Sequence, residues 1–199
     1  EHDASGICHT SGTTGMPKGV VYSHRAMFLH AMAVCMVDGL RLGEHERVLP
    51  VVPLFHACGW GLPYAAPLTG ADLVLVGADT SPEHLARVIA EEQVTWTAGV
   101  PTIWTALFPL GRTHDLSSLR TIAIGGSATP RALLEAYDAL GVEVLQIWGM
   151  TETGPVAAVS RPRRRHASLD VEGRRDVRAK TGYVLPGLEG RVVAPDGSV

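Results

Sequence analysis

The chain has 199 residues, of which 46% are hydrophobic and 19% are charged, so it can bury a sizeable core as one domain or as part of a larger one. Its 17 Lys and Arg against 20 Asp and Glu give a net charge of −3. This balance argues against a broadly basic nucleic-acid-binding or membrane-surface protein. No apolar run approaches the ~18 residues of a membrane span, so we expect no integral membrane segment.

The three cysteines, Cys8, Cys35 and Cys58, are odd in number and form no Cys-x-x-Cys pair. They fit a reducing, cytoplasmic setting better than a disulfide framework. The chain begins at Glu1, without an initiator methionine or a signal-peptide pattern, and it starts shortly before its most distinctive loop. We therefore expect it to be a piece of a longer protein.

The first distinctive stretch is a loop rich in hydroxyl groups and glycine, flanked by apolar residues that predict two strands. It consists of Thr10, Ser11, Gly12, Thr13, Thr14, Gly15, Met16, Pro17, Lys18 and Gly19. Hydroxyls, bare backbone N–H groups and one lysine are suited to a polyphosphate, whose oxygens accept hydrogen bonds and carry negative charge. The alternative is an ordinary polar surface hairpin. The spacing matches neither Walker A nor Gly-x-Gly-x-x-Gly.

The next hundred residues alternate helical and strand patterns. Ser23 can N-cap a helix, and Gly39 is placed to end it. The predicted helices end near Val37, Leu68, Glu92 and Leu110, and the predicted strands cover 47–53, 71–76 and 94–98.

A further strand, helix and strand are predicted at 119–124, 130–140 and 142–147. Strands that alternate with helices of this length indicate an α/β fold, with a mostly parallel sheet covered by helices on both faces. In such sheets ligands bind beyond the carboxyl ends of the strands.

The pattern changes after residue 160. A basic stretch covers 161–181, and the tail at 182–199 predicts a strand that runs into a turn. We read 1–160 as the α/β region, 161–181 as a basic loop with a short helix, and 182–199 as the start of a β region. The basic residues are most compatible with a solvated surface. The more specific alternative is that they help to hold an anionic cosubstrate.

Three predicted strand ends carry candidate chemistry, and the first two follow the strands at 119–124 and 142–147. Gly125, Gly126 and Ser127 leave room for a flat ligand against the backbone, although an ordinary turn is equally compatible. A serine-hydrolase elbow is disfavoured because position 129 is Thr rather than Gly. At the second end, Trp148 offers an aromatic face and Glu152 an oxygen ligand for Mg²⁺. Either residue alone would be read as a core Trp or a solvated Glu.

The third strand end is the segment from His56 to Trp60, after the predicted strand at 47–53. His56 could donate a hydrogen bond or respond to pH, and it lacks the partners of a zinc site. Trp60, between glycines, is read either as core packing or as a movable plug.

Thr10 to Gly19, followed by Val20-Val21-Tyr22-Ser23-His24, resembles the phosphate-binding loop of the adenylate-forming superfamily of acyl-CoA synthetases, luciferases and peptide-synthetase adenylation domains. The segment at 148–152 resembles that superfamily's aromatic-Gly-x-Thr-Glu motif, with Trp148 where many members have Tyr. The stretch from Val48 to Pro67 looks especially like medium- and long-chain fatty acyl-CoA synthetases. The resemblance extends from Ile7 to about Gly197.

The resemblance implies a role for each of these residues. Lys18, His56, Thr151 and Glu152 are implied to be catalytic, and Thr10 and Glu152 to hold Mg²⁺. The acyl substrate is implied to meet His56, Trp60, Gly125 and Gly126, with Trp60 as the gate of an acyl tunnel. ATP or AMP is implied to contact Thr10, Ser11, Gly12, Thr13, Thr14, Gly15, Lys18, Gly126, Ser127, Trp148, Gly149, Met150 and Thr151.

The implied reaction uses ATP, Mg²⁺ and CoA to turn a carboxylic acid into an acyl-adenylate and then a thioester. Family members run to several hundred residues, so their ribose-binding Asp motif and mobile C-terminal lid domain are expected outside this chain. The isolated 199 residues are therefore expected to turn over little or nothing. Some relatives are dimers, which leaves a homodimer of the full-length protein open. Two alternatives remain: activation of an aryl or amino acid, and a non-catalytic nucleotide-binding module.

Overall fold

A two-stranded hairpin comes first in the computed structural model, which describes residues 1–10 and 15–198. Its strands are β1 (Ala4–Thr10) and β2 (Lys18–Ser23), paired antiparallel with Thr10 opposite Lys18. The predicted loop between two strands therefore has its first and last polar residues side by side. Ser11, Gly12, Thr13 and Thr14 lie outside the described residues.

Helix α1 (His24–Cys35) begins directly after the hairpin. Ser23 caps it as predicted, because its hydroxyl accepts a hydrogen bond from the amide of Ala26 at 3.1 Å. The helix ends two residues before the predicted Val37, and the chain then turns through Gly39, whose amide donates to the carbonyl of Met36.

The remaining elements alternate between strand and helix up to residue 148. They are β3 (Arg47–Pro50), α2 (Leu62–Thr69), β4 (Asp72–Leu73), α3 (Pro82–Glu91), β5 (Trp96–Gly99), α4 (Pro101–Leu107), β6 (Thr121–Ile124), α5 (Arg131–Asp138), β7 (Glu143–Trp148), β8 (Ala158–Val159), α6 (Val171–Arg178) and β9 (Tyr183–Val184).

Strands β3 to β9 form one sheet in the order β4-β3-β5-β6-β7-β8-β9. The pairs from β4 to β7 are parallel, while β8 and β9 run antiparallel to their neighbours. This arrangement confirms the predicted α/β class with a mostly parallel sheet.

Alternation along the central strands explains why both faces are covered. In β3, Val48 packs on the side of α1 and α2, and Leu49 packs on the side of α3, α4 and α5. Leu145 and Val144 divide β7 in the same way. Successive strand residues point to opposite faces, so an uninterrupted apolar strand needs a helical layer on each side.

Some predicted boundaries were wrong for identifiable reasons. The strand expected at 71–76 is only two residues long, because it lies at the sheet edge and Leu75 is exposed. Helix α4 ends at Leu107 and continues as a 3₁₀ turn over Phe108–Arg112, where Pro109 lacks the N–H that an α-helix would use.

The basic stretch packs against the end of α5 and the start of β7 through ion pairs. Arg178 and Arg175 pair with Asp138 at 2.7 and 3.3 Å, and the buried Arg161 pairs with Glu143 at 3.1 Å. These three arginines meet carboxylates of the chain itself. Arg175 and Arg178 attach α6 to the end of α5, and Arg161 attaches the segment after β8 to the start of β7. Contact between this stretch and an anionic cosubstrate stays a prediction.

Among the described residues, no helix combines the length and the apolar composition needed to cross a membrane.

Candidate functional site

A cavity of about 540 Å³ opens at the carboxyl edge of the parallel strands. The hairpin, the turn after β3, the ends of β6 and β7 and the segment after β7 all contribute to its wall. Its lining residues are Thr10, Lys18, His56, Ala57, Trp60, Gly125, Gly126, Ile147, Trp148, Gly149, Met150, Thr151, Glu152, Pro155 and Val156. The structure therefore brings together eleven residues that the sequence singled out separately.

Two residues predicted to contact the nucleotide lie elsewhere. Gly15 is exposed and is not among the lining residues of this cavity. Ser127 lines a separate cleft of about 220 Å³, which Gly126 and Trp148 also border. The cleft and the main cavity share the lining residues Gly126, Ile147, Trp148 and Gly149.

The hairpin is attached to the segment after β7 by a side chain that the sequence reading did not single out. The hydroxyl of the buried Tyr22 donates a hydrogen bond to the main-chain oxygen of Thr151. Burial and the neighbouring Cys8 and Cys58 thiols raise the pKa of Tyr22, so its hydroxyl remains a donor at physiological pH. This contact keeps Lys18 of the hairpin and the carboxylate of Glu152 in the wall of the same cavity.

The segment from Trp148 to Glu152 has a close turn that only glycine permits. A Cβ at Gly149 would lie 1.7 Å from the carbonyl oxygen of Pro155, so any side chain there would push the two strands of the turn apart. The amide of Met150 donates to the hydroxyl of Thr153 at 2.8 Å. Trp148 is left 44% exposed, with indole surface available for stacking on a base.

The side chain of Gln146 holds the Gly125–Pro130 turn through hydrogen bonds to its backbone. Its side-chain oxygen accepts from the amide of Thr129 at 2.7 Å, and its side-chain nitrogen donates to the carbonyl of Ser127 at 3.3 Å. Both Gln146 and Thr129 are buried. The signal that could have revealed this role is a lone amide side chain inside an otherwise apolar strand.

The turn after β3 is left-handed over five consecutive residues. Positive φ angles occur at Ala57 (42°), Cys58 (50°), Gly59 (57°), Trp60 (55°) and Gly61 (79°). Each non-glycine residue in this conformation costs about 1–2 kcal/mol relative to the right-handed form. Such strain persists only where the surroundings enforce it, and it is concentrated at functional sites.

This strained turn places Trp60 between two cavities. Trp60 and His56 line the first cavity and also a second one of about 620 Å³. The second cavity is mostly apolar; its other lining residues are Pro50, Val51, Val52, Pro53, Leu54, Phe55, Leu75, Val76, Gly77, Ala78, Thr80, Val100 and Ile103. The indole of Trp60 is only 7% exposed. Trp60 therefore packs in the core and also lies on the boundary between the two cavities.

The oxygen donors of the main cavity fit a magnesium ion shared with phosphates. Thr10 supplies a hydroxyl and Glu152 a carboxylate. No cluster of three or more His, Cys, Asp or Glu residues able to hold a metal occurs in residues 1–10 and 15–198. Mg²⁺ commonly takes one or two protein oxygens and completes its shell with substrate phosphates and water, and this donor set is compatible with that mode.

The chain matches the family model described as AMP-binding enzyme over residues 1–199. It belongs to the AMP-binding enzyme family. The resemblance inferred from the phosphate loop and the 148–152 motif is thereby confirmed at the level of the family.

Two curated relatives of this AMP-binding chain are fatty-acid–CoA ligases. It is 47% identical over 199 residues to the long-chain-fatty-acid–CoA ligase of Thermus thermophilus, and the match covers 99% of this chain and 37% of that protein. It is 40% identical over 200 residues to the medium-chain-fatty-acid–CoA ligase of Ectopseudomonas oleovorans, with the same coverage. The chain therefore spans just over a third of the length of these relatives.

A solved structure supports the same fold. The O-succinylbenzoate coenzyme A synthetase of Bacillus subtilis, in complex with ATP and magnesium ion, superposes with a TM-score of 0.77 at 27% identity. The superposition covers 100% of this AMP-binding chain and 39% of that protein.

Proposed function

We propose that this chain forms the nucleotide- and acyl-binding part of a fatty acid–CoA ligase that activates a medium- or long-chain fatty acid with ATP. The observation that carries the proposal is the junction of two cavities at His56 and Trp60. One cavity combines Lys18, Glu152 and a half-exposed indole, and the other is apolar. An amphiphilic acid fits this pair with its carboxylate at the junction and its chain in the apolar cavity.

In the first half-reaction a carboxylate oxygen attacks the α-phosphorus of ATP, and the bond to the bridging oxygen breaks to release pyrophosphate. Both reactants are anions, so the protein contributes mainly alignment and charge neutralisation. Lys18 is proposed to neutralise the departing phosphates, and His56 to orient the carboxylate. Trp148 is proposed to stack on the adenine, and Thr151 to contact the α-phosphate.

Thr10 and Glu152 would hold Mg²⁺, which would supply further neutralisation of the negative charge on the phosphates. In the second half-reaction the sulfur of CoA, having lost its proton, attacks the acyl carbonyl and AMP departs with the bonding electron pair. No covalent enzyme intermediate is needed, so no activated serine or cysteine is required.

The experiment is pyrophosphate release by the full-length gene product with ATP, Mg²⁺ and a series of carboxylic acids. We expect saturable release with acids of about six to sixteen carbons, since an apolar cavity discriminates by the number of buried methylene groups. Release restricted to aryl or amino acids would overturn the fatty-acid assignment. ATP binding without release for any acid would support a non-catalytic module instead.

We further propose a cytoplasmic location and leave a homodimer as the assembly to test. Cys8, Cys35 and Cys58 are free thiols, which supports a reducing compartment. Fractionation of cells and light scattering of the purified full-length protein test these two points.

A further inference from the structure

His30, on α1, lies between the segment after β7 and the left-handed turn that carries Trp60. The proposed reaction assigns it no role. Its Nε2 accepts a hydrogen bond from the amide of Val156 at 3.1 Å, and Val156 lines the main cavity. On its other side the ring packs against the end of the left-handed turn. A Cβ at Gly61 would lie 2.5 Å from Cε1 and 2.6 Å from Nδ1 of His30.

The hydrogen bond fixes the protonation state of the ring. A backbone amide can only donate, so Nε2 must be unprotonated and the proton of the neutral imidazole sits on Nδ1. Burial lowers the pKa of His30 to about 4, so the ring stays neutral at physiological pH. Among the described residues that line the groove beside the ring, Glu152 is the one other ionisable group.

The two contacts connect segments that are far apart along the chain. Val156 follows the Trp148–Glu152 motif, and Gly61 follows Trp60 in the strained turn. Because the ring is rigid and touches both, displacing it changes the distance between the nucleotide side and the acyl side of the cavity. A misplacement of about 1 Å is enough to reduce catalysis strongly when two reactants must be aligned.

We propose that His30 is a positioning residue that sets the spacing between the 149–156 segment and the Trp60 turn. Its kinetic consequence rests on the proposed ligase function, while its structural consequence does not. The acceptor at Nε2 is the essential property, since loss of that acceptor leaves the amide of Val156 without a partner.

The test compares His30→Leu with His30→Gln in the full-length gene product. Gln reaches as far as Nε2 and restores an acceptor, whereas Leu has neither acceptor nor donor. We expect His30→Leu to raise the KM for ATP about tenfold and His30→Gln to stay within about threefold of the wild type. His45→Leu, at an exposed position outside both cavities, is the matched control.

Hydrogen exchange of the 149–157 segment gives a readout that does not need turnover. Faster exchange in His30→Leu, restored in His30→Gln, supports the positioning role even if no acid is activated. Such a result, with no turnover by the wild type, would reject the ligase function alone. Equal exchange and equal KM for ATP in the wild type and both variants would overturn the proposal, as would equal losses in Leu and Gln.

Discussion

The hydroxyl of Tyr22 donates a hydrogen bond to the main-chain oxygen of Thr151, across 129 residues of sequence. This contact joins the β1–β2 hairpin to the segment that carries Glu152. The main cavity lies between these two segments, and each of them contributes part of its wall.

Removing the hydroxyl tests the Tyr22 contact directly. We expect Tyr22→Phe to lower kcat/KM for ATP about five- to tenfold, because the main-chain oxygen of Thr151 loses a hydrogen bond worth ~1 kcal/mol or more. Initial rates of pyrophosphate release at varied ATP measure this. Tyr183→Phe is the control, since its hydroxyl contacts Arg165 and lines neither cavity. Equal effects of the two substitutions would contradict the assigned role.

Lys18 is the lysine of the main cavity, and its charge is expected to act on the phosphates. Lys18→Ala should weaken ATP use by ~1.5–3 kcal/mol, the range for a charge-assisted hydrogen bond. In rate terms this is about a ten- to 150-fold loss of kcat/KM for ATP. The sequence offers Lys180→Ala as the matched control. An unchanged ATP dependence in Lys18→Ala would remove the residue from the mechanism.

Glu152→Gln keeps the shape of the side chain but removes its charge. If the carboxylate helps to hold Mg²⁺, the variant should need about tenfold more Mg²⁺ for half-maximal rate, since an amide oxygen is a weaker ligand for a hard cation. Titrating Mg²⁺ at fixed ATP measures the shift. Glu91→Gln, at the end of α3, should behave as the wild type. A lower rate with the same Mg²⁺ requirement would assign Glu152 a different role.

Trp60 separates the two cavities, so its size should control which acids are activated. Trp60→Phe and Trp60→Ala remove progressively more of this barrier. We expect the ratio of kcat/KM for dodecanoate over hexanoate to rise, by about fivefold or more for Ala, because differences in buried methylenes set such ratios. Circular dichroism checks that both variants fold. An unchanged ratio in two folded variants would mean that the acyl chain does not pass Trp60.

The buried neutral His30 should make stability depend on pH. The pKa of His30 is lowered from 6.5 to about 4 on folding, so the unfolded chain binds more protons between these values. The free energy of unfolding should therefore fall as the pH drops from about 6.5 towards 4, by about 2–3 kcal/mol from this group alone. Above 6.5 its contribution is complete.

Denaturant titrations of the wild type and His30→Gln between pH 4 and 7.5 measure that fall as a difference, so that carboxylates common to both proteins cancel. The free energy of unfolding of the wild type should therefore fall relative to that of His30→Gln as the pH drops from about 6.5 towards 4. Parallel curves would mean that His30 titrates alike in the folded and unfolded chains.

The sequence by itself determined the class of fold and singled out eleven residues that line the main cavity. Apolar strands alternating with helices require a parallel sheet with two covered faces, because each strand buries residues on both sides. The strand-end rule then places Gly125, Trp148 and His56 at one edge of the sheet. Helix starts were predictable from capping chemistry, as at Ser23, because that chemistry is local.

Only the tertiary structure decided which side chains hold these parts together. Tyr22, His30 and Gln146 act through partners that are up to 129 residues away, and no local pattern encodes such a contact. The left-handed turn that carries Trp60 breaks the local preference of its own non-glycine residues, so it depends on the packing around it. Packing joins distant segments in ways that spacing along the chain does not record. For that reason the composition of the site could be inferred from the sequence, while the connections that give it a defined geometry required the fold.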